Sequence, residues 1–114
     1  MKIYHNAQCS KSRETLELIR EHGVEPEIVE YLKEEITAKE LKQVIEKLGI
    51  KAQDLVRKSE DIYIEKYKGK KLTEAAWIKA MITNPVLIER PIVIKGNKAV
   101  LGRPPETVLT LFKK

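Results

Sequence analysis

The 114-residue sequence predicts an α/β fold with a β-α-β opening, a helical middle and a β-β-α close. Two observations predict it. Short runs of β-favouring residues stand on either side of an amphipathic helical segment near the start, and two further runs return in the last third. Between them, apolar residues recur at helical spacing. Because no repeat, low-complexity tract or linker interrupts this order, we expect one domain over residues 1–114.

The opening predicts a parallel pair of strands. Residues 2–5 form the first strand candidate, and residues 6–10 form a polar loop after it. The helical pattern begins with a first turn at Ser12 and stops at Gly23, a residue typical of helix ends. Residues 27–32 read as a second strand. A strand, a helix and a strand in this order favour parallel pairing through a right-handed crossover.

The middle of the chain predicts helices. Thr37 is a good N-cap, with a glutamate three residues later that completes a capping box, and Gly49 ends that helix. Residues 51–59 look like another short helix. Thr73 caps a further helix, in which the spacing of Trp77 indicates a core residue rather than a ligand-stacking one.

The close predicts a hairpin and a final helix. Residues 91–94 and 98–101 are compact apolar runs, and Gly96-Asn97 between them is a tight-turn signal. A last helix is expected over residues 107–111. The complete order is the connectivity of a thioredoxin-like mixed sheet with a helical insertion at about residues 37–85.

Composition narrows the function. The net charge is +5, with 22 basic and 17 acidic residues interspersed, and aromatic residues make up 5%. Aromatic residues are too few for a stacking platform, so we expect no nucleic-acid partner. No apolar run is long enough for a membrane span, and the N-terminus does not read as a signal peptide. We expect a cytoplasmic protein with no membrane partner, and a monomer.

The most informative residue is the single cysteine, Cys9. One cysteine cannot form an intramolecular disulfide or a cysteine-based metal cage, and a lone cysteine is often only a small buried hydrophobe. Cys9, however, stands between a strand and a helix, where unpaired amides lower a thiol pKa and bind oxyanions. His5 and Arg13 are potential cations close to it in sequence.

Ser12 stands three residues after Cys9, where dithiol oxidoreductases carry a second, resolving cysteine. A hydroxyl there can cap the helix or bond to the thiolate, but it cannot close a disulfide. A product on Cys9 must therefore be resolved by another molecule's thiol, with glutathione and glutaredoxin as the obvious candidates. Ser12 and Arg13 join the candidate substrate-binding residues.

Residues 9–16 read Cys-Ser-Lys-Ser-Arg-Glu-Thr-Leu. This segment resembles the segment that begins the active site in the glutaredoxin-coupled arsenate reductase family. That family is also called ArsC-like, and it is related to Spx-like regulators. Ala7 stands where that family usually has proline, and Ser10-Lys11 replace a small pair. The likeness continues in order through five further segments: Tyr31-Leu32-Lys33, Leu55-Val56-Arg57, Asn84-Pro85, Glu89-Arg90-Pro91-Ile92-Val93 and Gly102-Arg103-Pro104-Pro105-Glu106. The resemblance implies a thioredoxin-like fold.

The resemblance also implies roles. Cys9 would be the nucleophile that attacks arsenate or a similar oxyanion, and Arg57, Arg90 and Arg103 would bind the anion. His5 would help to keep the thiol ionised. Glutathione would be the co-substrate and glutaredoxin the partner, with no tightly bound cofactor and no metal. Guanidinium groups suit a tetrahedral oxyanion because they are planar, permanently charged donor forks.

Each arginine also has an ordinary interpretation. Arg57 could satisfy carbonyl groups at a helix end, Arg90 could pair with Glu89, and Arg103 could be an exposed residue at a strand end. Pro91 follows Arg90 just before a strand. In thioredoxin-like folds a proline at this place is typically cis and faces the active cysteine, so the resemblance implies a cis bond here.

Two other functions stay open at this point. An Spx-like transcriptional regulator that binds the RNA polymerase alpha subunit has the same fold, but it usually carries a Cys-x-x-Cys redox switch, which Ser12 removes. A glutathione-linked reductase of a different oxidised substrate would keep Cys9 and tolerate the loss of Arg90 and Arg103.

Overall fold

A four-stranded mixed sheet organises the computed structural model, which describes residues 1–112. Its strands lie in the order β2-β1-β3-β4. β1 pairs in parallel with β2, as the opening predicts, and antiparallel with β3, which pairs antiparallel with β4. The strands are β1 Lys2–Tyr4, β2 Glu27–Val29, β3 Ile92–Lys95 and β4 Lys98–Leu101. The predicted α/β, thioredoxin-like class is confirmed.

The chain divides into two compact units. The first comprises Met1–Glu34 and the chain from Arg90 onward, and the second comprises Glu35–Glu89. The second unit is the helical segment that the sequence placed at about residues 37–85. The expectation of one domain stays a prediction.

The first unit contains the sheet and two helices. Helix α1 spans Ser10–Glu21, and a 3₁₀ helix, Pro105–Phe112, packs against it. The apolar core between them and the sheet is Ile3, Leu16, Ile19, Val93, Val108 and Leu111. Lys95 pairs with Lys98 across the predicted Gly96-Asn97 turn, where Gly96 has φ +59°. Such a left-handed backbone favours glycine.

The second unit consists of helices joined by turns, with one isolated antiparallel β-bridge between Val56 and Ile88. Its elements are α2 Ala38–Leu48, α3 Ala52–Leu55, α4 Asp61–Lys66, α5 Glu74–Thr83 and a 3₁₀ turn, Pro85–Leu87. The hydroxyls of Thr37 and Thr73 accept hydrogen bonds from backbone amides three residues on, at 3.0 and 3.1 Å. Both predicted caps are thereby confirmed. Trp77 is buried, as predicted for a core residue.

Several predicted boundaries are wrong. Helix α1 begins at Ser10, not at Ser12, so Cys9 itself is the N-cap residue. Strand β2 stops at Val29, because residues 31–34 turn. The helix expected over residues 51–59 is the four-residue α3, and the final helix is a longer 3₁₀ helix.

Helix α4 was not predicted at all, because none of its residues is buried and apolar spacing gave no signal. Within residues 1–112, no helix combines the length and the apolar character that crossing a bilayer requires.

Candidate active site

The loop after β1 places Cys9 at the N-terminus of α1. Cys9 has the extended backbone of an N-cap residue, with φ −96° and ψ 122°. Its carbonyl accepts the first helical hydrogen bond from Arg13 at 3.0 Å, and its amide donates to Asn6 at 2.9 Å. The thiol is half-buried rather than enclosed in the core. A reactant can therefore reach the sulfur, which lies where the helix amides are unpaired.

The environment of Cys9 favours the thiolate. Burial raises the pKa of the thiol, but hydrogen bonds from the Ser12 amide, the Arg90 guanidinium and the Lys11 amide outweigh it. The positive charge of Arg90 acts in the same direction, so the pKa is lowered overall. Open helix amides and a cation are the ordinary means by which proteins activate a cysteine.

Arg90 is a buried charged residue of this site whose hydrogen bonding is incomplete. Its side chain is only 9% exposed, and its Nε has no hydrogen-bond partner within residues 1–112. A buried, incompletely paired guanidinium is costly unless an anion completes its bonding. Arg90 faces Cys9 from the start of the β3 segment, and its peptide bond to Pro91 is cis, the isomer that the resemblance implies.

Arg103 is exposed just after β4, and its loop packs closely against the segment that carries Arg90. Its Nη1 donates to the carbonyl oxygen of Arg90 at 3.2 Å. Just before it, the Gly102 amide donates to the Pro91 carbonyl at 2.9 Å. The Thr15 hydroxyl donates to the Lys11 carbonyl at 2.8 Å and shares its proton with the Gly102 carbonyl at 3.2 Å. A Cβ on Gly102 would lie 2.6 Å from Thr15 Oγ1 and 2.8 Å from Pro91 Cγ, so only glycine fits.

Thr15 and Gly102 are positioning residues of the Arg103 loop that the sequence argument missed. Both lie inside the recognised segments, but local patterns treat Thr15 as a helix residue and Gly102 as a strand end. Thr15 is fully buried, and its hydroxyl joins α1 to the Arg103 loop. No local signal pointed to this contact, because the Thr15 hydroxyl already has a partner in its own helix, the Lys11 carbonyl at 2.8 Å.

His5 lies next to Ser12, and its predicted role in keeping the thiol ionised stays a prediction. It is buried, and burial lowers its pKa, although the carboxylate of Glu30 opposes this effect. Its Nδ1 lies 2.6 Å from the Ser12 hydroxyl, which also accepts a hydrogen bond from the Asn6 amide at 3.0 Å. The neutral ring thus positions Ser12 and the loop. Ser12 contributes its backbone amide, not its hydroxyl, to Cys9.

Arg13 braces the loop. Its Nη1 donates to the carbonyl of Ala7 at 2.8 Å, while Asn6 accepts from the Gln8 amide at 3.0 Å. These two bonds hold the segment before Cys9 from both sides. The role that the sequence suggested for Arg13, binding the substrate, stays a prediction.

Arg57 belongs to the second unit and is engaged there. Its Nη1 lies 2.8 Å from Glu60 Oε1, with the two side chains 24% and 30% exposed, and its amide donates to the Leu87 carbonyl. The side chain of Arg57 thus binds a carboxylate, whereas the ordinary interpretation of the sequence had it bind carbonyl groups at a helix end. The structure therefore brings Arg90 to Cys9, holds the exposed Arg103 against the main chain of Arg90, and shows Arg57 paired with a carboxylate.

Fold and site together define a thioredoxin-like protein with one cysteine at the start of its first helix, a buried arginine, Arg90, beside it, and Arg103 held against the main chain of Arg90. Comparison with known proteins agrees. The ArsC family model matches residues 4–111. The chain therefore belongs to the ArsC family.

Individual relatives cover nearly the whole chain. It is 44% identical over 112 residues to an arsenate reductase of Haemophilus influenzae, covering 96% of this chain and 97% of that protein. It is 50% identical over 113 residues to the uncharacterized protein YfgD of Escherichia coli K12, covering 97% and 95%. The solved structure of an arsenate reductase from Vibrio cholerae is similar with a TM-score of 0.92, at 42% identity and 96% and 97% coverage. These relatives do not favour the regulator interpretation.

Proposed function

We propose that this protein reduces arsenate to arsenite, with Cys9 as the nucleophile. One observation carries the proposal: a half-buried thiol with a lowered pKa faces a buried arginine whose Nε has no partner within residues 1–112. An anion bound to that guanidinium would lie against the sulfur. Relatives named arsenate reductases support arsenate as that anion.

In the first step the Cys9 thiolate attacks arsenic, and an arsenate oxygen leaves as water. Arg90 and Arg103 hold the remaining oxygens and offset the negative charge of the transition state. The backbone amides of Lys11 and Ser12 stabilise the negative charge by hydrogen bonds, on the Cys9 sulfur before the attack and on an arsenate oxygen after it. Arg57 is proposed as a third ligand on the resemblance alone, since it must first be released from Glu60.

Reduction needs external thiols, because the chain has one cysteine. Glutathione attacks the Cys9-bound arsenic and displaces a second oxygen as water. The glutaredoxin thiol then attacks the glutathione sulfur, so that the glutathione–arsenic bond breaks, a glutaredoxin–glutathione disulfide forms, and the electron pair stays on arsenic. These two thiols thereby supply the two electrons that convert arsenic(V) to arsenic(III). Water finally replaces the Cys9 sulfur on arsenic, so arsenite leaves and the Cys9 thiol is restored. Cytoplasmic location, a monomeric state and the absence of a resident cofactor remain predictions.

The test is arsenate-dependent NADPH consumption in the presence of glutathione, glutaredoxin and glutathione reductase. Wild type is expected to turn over, whereas Cys9→Ser is expected to be inactive while remaining folded. Ser10→Ala is a matched control, because it changes the next residue and leaves the thiol in place.

A wild-type protein that alkylates quickly at neutral pH but does not consume arsenate would contradict the proposal. That result would favour the remaining alternative, a glutathione-linked reductase of another oxidised substrate.

A further inference from the structure

A cleft of about 110 Å³ lies beside the Cys9 loop. Its walls include Ala7 and Gln8 on one side and Glu30, Leu32 and Lys33 on the other. We propose that this cleft binds the γ-glutamyl end of glutathione, the zwitterionic α-amino acid head of the thiol that attacks the group bound to Cys9. The inference rests on the proposed use of glutathione, and the cleft lies apart from Arg90 and Arg103.

The charges of the cleft match a zwitterion. Lys33 Nζ lies 3.6 Å from Glu30 Oε1, and the two side chains are 76% and 43% exposed. An exposed pair of this kind is weak, so it readily exchanges its partners for those of a ligand. The γ-glutamyl head offers a carboxylate to Lys33 and an ammonium to Glu30. The glycine end of glutathione, a carboxylate alone, would be repelled by Glu30.

Ala7 supplies a further donor. Its backbone N–H donates to no group within residues 1–112, although the atoms around it are fixed by the bonds of Arg13 and Asn6. The proline that this family usually carries at the position of Ala7 has no N–H. Ala7 therefore brings an N–H with no hydrogen-bond partner in residues 1–112 to the lining of the cleft, and a carboxylate bound there would be a strong acceptor for it.

Size and position agree with this end of glutathione. A volume of about 110 Å³ accommodates an amino-acid head but not a complete tripeptide. The exposed side chain of Leu32 can contact the methylene groups of the γ-glutamyl chain. Gln8 lines the cleft and is the neighbour of Cys9, and two residues span about 7 Å when extended. The thiol of a bound glutathione can thus reach the sulfur.

The experiment isolates this step from arsenate. Cys9 is first converted to its mixed disulfide with 2-thiopyridine, a neutral group. A thiol then attacks the Cys9 sulfur, the old S–S bond breaks, a new S–S bond forms, and pyridine-2-thione leaves with the proton. Release of the thione is followed with glutathione, with γ-glutamylcysteine, which lacks the glycine, and with cysteinylglycine, which lacks the γ-glutamyl head.

We expect Lys33→Gln and Glu30→Gln each to slow glutathione and γ-glutamylcysteine about fivefold, and to leave cysteinylglycine unchanged. Ala7→Pro is expected to slow the same two thiols, because it removes the donor while restoring the family residue. Lys39→Gln, which changes an exposed lysine of the second unit, is the matched control.

Equal slowing of all three thiols by Lys33→Gln, or no slowing by any variant, would overturn the proposal. If cysteinylglycine responds and γ-glutamylcysteine does not, the glycine end occupies the cleft and the proposal is wrong. Because no arsenate is present, an inactive arsenate assay with γ-glutamyl-dependent exchange would count against the proposed function and not against this site.

Discussion

Arg90 and Arg57 were predicted for the same task, but the two units of the molecule hold them differently. Arg90 is almost entirely buried beside Cys9, and its Nε has no partner within residues 1–112. Arg57 is more exposed and pairs with the carboxylate of Glu60 at 2.8 Å. A guanidinium kept away from carboxylates retains its bonding capacity for an external anion, whereas one already paired must give up that bond first.

The largest expected effect is that of removing the Arg90 charge. Arg90→Gln is expected to lower kcat/KM for arsenate about 100-fold, because a donor aimed at the reacting anion is lost. It should also raise the pKa of Cys9, since Arg90 favours the thiolate. The midpoint of the pH profile of iodoacetamide alkylation then moves to higher pH. Arg20→Gln is the control, and an unmoved midpoint would contradict the contact.

The next effect concerns the loop that brings Arg103 to the site. Gly102→Ala is expected to destabilise the protein by about 1–3 kcal/mol, because the new methyl group overlaps Thr15 and Pro91. Urea unfolding measures this loss, and the KM for arsenate should rise as Arg103 is displaced. Gly69→Ala is the comparison, with φ +80° but no atom within 4 Å of the new Cβ. Because Gly69→Ala carries the cost of a left-handed backbone without any contact, it measures that strain alone, and a loss below about 0.5 kcal/mol at Gly102 would show that the Gly102 contact is not tight.

The sequence was sufficient where the determining signal is local. Thr37 and Thr73 each announce a helix start, because a hydroxyl before an apolar helical pattern accepts an orphan amide. The Gly96-Asn97 pair predicted the hairpin through another local signal, because glycine and asparagine are favoured in two-residue turns between strands. The position of Cys9 between a strand and a helix predicted an amide-stabilised sulfur, although the helix begins two residues earlier than expected.

The rest depends on contacts between segments distant in sequence. That His5 is buried, and so favours its neutral form, is a property of the folded first unit. The Thr15 bond to Gly102 joins residues 87 apart, and no periodicity indicates it. Helix α4 has no capping side chain and buries no residue, so neither local signal was present. The ion pair between Arg57 and Glu60 could not be predicted, because it depends on how the chain turns between these two residues.

A smaller effect is expected in the second unit. Arg57→Gln should lower kcat/KM for arsenate less than Arg90→Gln does, by under about tenfold, since its guanidinium is already paired. Glu60→Gln should lower the free energy of unfolding by at most about 1 kcal/mol, as expected of a partly exposed pair. Steady-state kinetics and urea unfolding measure the two effects. Equal losses of kcat/KM in Arg57→Gln and Arg90→Gln would contradict the prediction that a paired arginine contributes less to arsenate binding than an unpaired one.

The smallest effect is a pH dependence of stability carried by His5. Its pKa in the folded protein is below the ordinary value of 6.5, chiefly because of burial, so the unfolded chain binds a proton more readily. The contribution of His5 is complete above pH 6.5 and is lost as the pH falls from there through the folded pKa. Thermal unfolding from about pH 7.5 to pH 5 should therefore show a shallower decline in Tm for His5→Gln than for wild type. His22→Gln changes the only other histidine, which is exposed, and should follow wild type. If Tm falls with pH equally in wild type and His5→Gln, then His5 accepts its proton as easily in the folded protein as in the unfolded chain. The interpretation that a neutral His5 ring positions Ser12 would then be wrong.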